Sequence, residues 1–264
     1  MIVAEDLCFR VAERSILDHI SFEIRPGESV GLVGPNGSGK TSILRCLLGL
    51  VPFSGRASVA GHDVVREPIA ARAHLAYVPQ KAAFGDAPAA EVLTFVAKLR
   101  RLDPRRIADV LEQVKLTSHA HERARTFSGG MQQRLSLAMA LLVDAPVLLF
   151  DEPSASLDRE GQDTFFEVVA ELRSSGRTLV LASHRAEEVD CLTDRVLAID
   201  RGRIEQCGGP LAAAPTRTER TRGERTNVRE LGPQACNPGS RPVAAAYRRV
   251  PAGRKSTVAG GERV

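Results

Sequence analysis

The segment Gly34-Pro35-Asn36-Gly37-Ser38-Gly39-Lys40-Thr41 constrains this chain more than any other. It follows a short apolar run, Val30-Gly31-Leu32-Val33, and precedes apolar positions at helical spacing: Ile43, Leu44, Leu47 and Leu48. A strand, a loop of the form G-x-x-x-x-G-K-[ST] and a helix, in that order, make a phosphate cradle. Glycines let successive backbone N–H groups turn inward, and the helix N-terminus adds positive potential for phosphate oxygens. In such a loop Lys40 reaches the β- and γ-phosphates of a nucleoside triphosphate, and the Thr41 hydroxyl is offered to Mg2+. Gly34, Pro35, Asn36, Gly37, Ser38, Gly39, Lys40, Thr41 and the adjoining Ser42 are the candidate nucleotide-binding residues. The bland alternative, a glycine-rich turn, is disfavoured by the strand and helix at either end.

Two further apolar runs, Val147 to Phe150 and Leu179 to Ala182, lack polar alternation, as parallel strands buried on both faces do. Each gives way to polar or glycine residues and then to a helical pattern. An α/β sheet with its chemistry at the carboxyl ends of the strands is expected. Alternating stretches at Ile16 to Ile24 and Arg56 to Ala60 read as antiparallel strands. Between Gly85 and Thr126 the period changes. Val92, Phe95, Val96 and Leu99, then Ile107, Val110, Leu111 and Val114, fall at helical spacing, with Asp103 and Pro104 as cap and first turn of the second helix. A third helix is expected around Phe165, Val168, Val169 and Leu172. The Val147 strand ends in Asp151-Glu152-Pro153. After a phosphate loop, Asp151 is the expected second Mg2+ ligand, and Glu152 could hold the attacking water as general base.

Composition narrows the class. No apolar run reaches the ~18 residues of a membrane span; the nearest, Leu137 to Phe150, is broken by Asp144 and Pro146. The N-terminus does not read as a signal peptide. Cys8, Cys46, Cys191, Cys207 and Cys236 are odd in number and form no Cys-x-x-Cys pair, which argues against both a disulfide framework and a zinc site. The net charge of +4 is misleading, because 11 basic and 4 acidic residues fall from Pro210 onward. That leaves the first 209 residues slightly acidic and gives no reason to expect a nucleic-acid partner. With six Pro, six Gly and one aromatic residue, segment 210–264 is expected to be a disordered basic tail.

The stretch Phe127-Ser128-Gly129-Gly130-Met131-Gln132-Gln133-Arg134 resembles the signature of the ATP-binding-cassette (ABC) family, usually written Leu-Ser-Gly-Gly-Gln. It lies 19 positions before Val147, as in that family. The phosphate loop, Gln80, the signature, Asp151-Glu152, the loop Ser154 to Asp158 and His184 appear in the family's order. The resemblance implies a P-loop NTPase core, a mostly parallel sheet with flanking helices, plus an antiparallel β subdomain and a small helical subdomain. It would cover roughly residues 1–209, with the helical part about 85–143.

The same resemblance implies an ATPase using ATP and Mg2+. Two copies would sandwich two ATP molecules, each between one chain's phosphate loop and the other's Ser128, Gly129 and Gly130. Gln80 would touch Mg2+ and water, His184 would hold the γ-phosphate and orient Glu152, and Asp158 would communicate between the sites. Thr41, Gln80 and Asp151 would be the metal-side residues. The expected partners are a second ATPase subunit and transmembrane permease subunits, at the cytoplasmic face of the plasma membrane. An alternative is a soluble ABC ATPase acting on ribosomes or DNA; the compact stretch between loop and signature and the single phosphate loop argue against it. A non-catalytic cassette is disfavoured by Lys40, Asp151, Glu152 and His184 together. Met131 and Phe127 depart from the usual signature, and the Met variant, with no folded regulatory domain evident after residue 209, leans toward export. Val11 stands where the family's adenine-stacking aromatic does; Phe9, on the same strand face, could substitute or be core.

Overall fold

The computed structural model describes residues 1–207; the expected tail, 210–264, falls outside the described residues. Two sheets organise it. β1 (Ile2–Val11) and β2 (Arg14–Ile24) pair antiparallel, with Ile2 opposite Ile24 and Phe9 opposite Leu17. β4 (Ser54–Val59) takes the other edge of β1, and β5 (His62–Asp63) pairs with β4. Alternation explains this sheet: Ile2, Ala4 and Leu7 face the core with Leu17, Ile20, Phe22 and Ile24, and polar residues face out.

The second sheet holds β3 (Ser29–Val33), β6 (Leu75–Val78), β7 (Val147–Asp151), β8 (Thr178–Ala182), β9 (Arg195–Asp200) and β10 (Arg203–Cys207). Its order is β10-β9-β3-β8-β7-β6, parallel except for β10. The unbroken apolar runs have a direct cause. Leu148, Phe150, Leu179 and Leu181 pack into the core on one face, while Val147, Leu149, Val180 and Ala182 pack into that on the other. Helix α1 (Lys40–Leu47) buries Ile43, Leu44 and Leu47 against the second face, between the two sheets. A short α2 (Pro68–Ala73) leads into β6.

The first face carries α3 (Ala89–Arg100), α4 (Arg106–Gln113), α5 (Gly129–Val143) and α6 (Arg159–Ser174); α7 (Ala186–Leu192) follows β8. The phase expected for α3 needs correction. Val92 and Val96 are partly buried, but Phe95 and Leu99 are 67% and 70% exposed. The buried face is Ala89, Leu93 and Ala97, where small residues let α3 lie close on α5. In α4, Val110, Leu111 and Val114 are buried as the period requires. That helix starts at Arg106, after a turn in which Asp103 Oδ1 accepts from Arg105 N at 2.9 Å, rather than at Pro104. Among the described residues no helix is long and apolar enough to cross a membrane.

Candidate functional site

The loop from Gly34 to Gly39 joins β3 to α1, and its glycines have steric reasons. A Cβ on Gly34 would sit 2.1 Å from the Ile199 carbonyl oxygen. Gly39 has φ 116° and would drive a Cβ to 2.8 Å from Leu17, a conformation and an approach that only glycine accepts. Lys40 Nζ donates to the carbonyls of Gly34 (2.8 Å) and Pro35 (3.3 Å), so the loop curls around the ammonium. Ser38 Oγ is buried and has no hydrogen-bond partner among the described residues, a hydroxyl available to a phosphate oxygen.

The parallel strands bring the acidic residues to this loop. Asp151, the last residue of β7 and 2% exposed, accepts from Thr41 Oγ1 at 2.8 Å and from Tyr77 OH, on neighbouring β6, at 3.2 Å. Burial pushes its carboxyl above the ordinary value, only partly offset by those two hydrogen bonds, and the Glu152 charge adds to the rise. The Tyr77 phenol is raised in turn, by burial and by the Asp151 charge. An ionised Asp151 therefore wants a cation. A hydroxyl and a carboxylate at one buried point are the oxygen ligands that suit Mg2+.

Glu152 lies one residue past the strand with φ 48°, a left-handed conformation costing a non-glycine residue roughly 1 kcal/mol. Its N–H donates to the Ala182 carbonyl of β8 at 2.8 Å, which holds the kink in place. The side chain, 6% exposed, turns back to the loop. Oε1 lies 3.6 Å from Lys40 Nζ, and Oε2 accepts from His184 Nδ1 at 2.5 Å. Strain at this position serves to aim the carboxylate.

A cleft of about 390 Å3 is lined by Asn36, Gly37, Gly39, Lys40, Thr41, Ser42, Gln80 and Glu152, together with Arg14 and Ile16. A second, adjoining depression reaches Pro35 and Ser38 on the outer side of the loop. Ser128, Gly129 and Gly130 line neither cleft. Ser128 caps α5, its Oγ accepting from Met131 N at 3.2 Å, and Gly130 lies against the Ser156 backbone. Asp158 caps α6 through Gly161 N at 2.9 Å. Val11 is 55% exposed at the end of β1 and does not line the cleft, while Phe9 is partly buried in the core between the sheets.

Five positions carry roles that sequence patterns do not mark. Tyr77 is invisible until β6 lies beside β7. Arg14 and Ile16 belong to a strand read only for its alternation. Gln133, buried in α5, donates from Nε2 to the Pro79 carbonyl at 2.9 Å, which ties the helix opened by Ser128 to the residue before Gln80. Glu188, also buried, accepts from the hydroxyls of Ser154 and Ser183 and pairs with Arg185 Nε at 3.5 Å. Burial raises its carboxyl above the usual range, and it joins the loop after Glu152 to the one bearing His184. The one local signal for Gln133 was a glutamine at a core-facing position of a helix.

Residues 17–155 match the sequence profile of the family described as ABC transporter. The chain is 36% identical to the linearmycin resistance ATP-binding protein of Bacillus subtilis, over 79% of this chain and 69% of that one. It is 38% identical to the doxorubicin resistance ATP-binding protein of Mycobacterium tuberculosis, over 71% of this chain but only 59% of the relative's length. A solved ATP-binding subunit of an ABC transporter superposes with a TM-score of 0.75 at 25% identity, covering 80% of this chain and 90% of its own.

Proposed function

This chain belongs to the ABC transporter family and is an ATPase of the ATP-binding-cassette kind; on that premise we propose that it powers export through separate transmembrane subunits, as a dimer closed around two ATP molecules. The observation that carries the reading is that Lys40, Thr41 and Glu152 line one cleft, Asp151 being hydrogen-bonded to Thr41 and His184 to Glu152, while Ser128-Gly129-Gly130 do not line it. A cleft lined by one chain and a glycine-rich helix N-terminus that lines no part of it suit a site completed by a second copy. Resistance proteins among the relatives support export over import.

In this mechanism the phosphate loop and Lys40 hold the triphosphate. Thr41 and Asp151, with Gln80 at the rim, would hold Mg2+, which offsets charge on the transferred phosphoryl group. Glu152 takes a proton from water as its oxygen attacks the γ-phosphorus and the bond to the β-phosphate oxygen breaks, releasing ADP and phosphate. His184 keeps the Glu152 carboxylate in line. The exposed Phe95 and Leu99 of α3 offer a transmembrane partner an apolar contact at the cytoplasmic face of the membrane.

Affinity purification of the chain from solubilised membranes should recover a polytopic membrane protein, and Phe95→Ser/Leu99→Ser should release it. Recovery of ribosomes or DNA-repair proteins instead would replace export by a soluble role.

A further inference from the structure

We propose that Asp6, Cys8 and His19, on the outer face of the antiparallel sheet, form a binding site for a divalent transition-metal ion of the zinc class. Among the described residues these three are the group in which potential metal-ligand atoms come together, all lying within 4.8 Å of one another. Leu7 and Ile20 point into the core, so their neighbours Asp6, Cys8 and His19 stand on the opposite face.

Local backbone geometry gathers them. The β1–β2 ladder slips between Ala4 and Leu7 and again between Leu7 and Phe9. Asp6 and His19 both have φ 55°, an unusual conformation for residues other than glycine. Asp6 N donates to Ser21 Oγ at 2.9 Å and His19 N to Cys8 Sγ at 3.3 Å, which fixes the sulfur beside the imidazole. His19 Nδ1 and Asp6 Oδ1 already meet at 2.5 Å. Tetrahedral zinc, with bonds of about 2.0–2.3 Å, holds its ligand atoms roughly 3.3–3.8 Å apart. Small side-chain rotations reach that arrangement. The ion takes the place of the proton shared by His19 and Asp6, the Cys8 thiol proton also leaves to solvent, and water fills the fourth position.

One thiolate and one imidazole select zinc-class ions over Mg2+, so the nucleotide's cation does not compete. The imidazole is held above its ordinary 6.5 by the hydrogen bond and charge of Asp6 on β1; Asp18 on β2 adds to the rise and Arg203 on β10 opposes it. Asp6, Cys8 and His19 line neither cleft at the phosphate loop.

The test is a Co2+ titration of the full-length, nucleotide-free protein with Mg2+ in excess, followed by Zn2+ displacement. Expected are a thiolate-to-cobalt charge-transfer band saturating at one equivalent, its loss in Cys8→Ser, and Zn2+ affinity at least tenfold weaker in His19→Gln and Asp6→Asn. ATP binding like wild type shows that each variant is folded. No band, a band that survives in Cys8→Ser, or unchanged Zn2+ affinity in His19→Gln would overturn the assignment and leave Asp6–His19 as a hydrogen bond across a bulge.

Discussion

At Glu152 a strained backbone, a lysine and a histidine all act on one carboxylate. Glu152→Gln keeps the shape and removes the base, so ATP turnover should fall by the ~10²–10⁴ that general-base catalysis contributes, with ATP affinity retained. Steady-state ATPase rates and a fluorescent-nucleotide titration measure the two; turnover within about tenfold of wild type would sit below that range and remove Glu152 from the role. Recognition of the base gives a second expectation. Val11 is solvent-exposed and Phe9 packs on the core, and neither lines the cleft, whereas Arg14 and Ile16 do. An aromatic stack contributes about 1–3 kcal/mol per base, so Val11→Tyr should tighten nucleotide binding by a few-fold to about a hundredfold. Phe9→Ala should change it little if the protein stays folded, and GTP should be used about as well as ATP. A large loss in Phe9→Ala without gain in Val11→Tyr would make Phe9 the platform. Residues within contiguous motifs, Lys40, Thr41, Asp151 and Glu152, were legible because their spacing along the chain is the geometry. Tyr77 was not, because its role exists only once β6 hydrogen-bonds to β7.

Elements were legible where one burial pattern ruled them. β7 and β8 carry unbroken apolar runs, Val147 to Phe150 and Leu179 to Ala182, because two cores claim alternate residues. Helix α3 departs from its period because Phe95, its largest apolar side chain, and Leu99 lie on the exposed side, while Leu93 shares the buried side with Ala89 and Ala97; hydrophobicity marks burial only where nothing else requires an apolar surface. Helix α5 carries a connection that no periodicity encodes. It begins at Ser128 and, one turn on, Gln133 holds the Pro79 carbonyl. That hydrogen bond ties α5 to the residue before Gln80. Gln133→Leu should preserve ATP affinity while lowering kcat about tenfold, less than the ~10² that a 1 Å misplacement near the chemistry can cost. An unchanged kcat in a folded Gln133→Leu protein would show that the tie is structural only.

At the scale of the molecule, one chain supplies a complete phosphate loop, a buried acidic pair and a histidine, while Ser128-Gly129-Gly130 line no part of that cleft. In the proposed dimer neither half is a finished site, and the sequence places the halves in order without saying how they stand to each other. The direct measurement is the molar mass, by light scattering, of the Glu152→Gln protein with and without Mg2+ and ATP. A chain of 28.4 kDa should be monomeric without nucleotide and double its mass with it, and Ser128→Arg added to Glu152→Gln should abolish the doubling. A mass that stays monomeric while ATP is bound, or a dimer indifferent to both ATP and Ser128→Arg, would contradict the two-chain site.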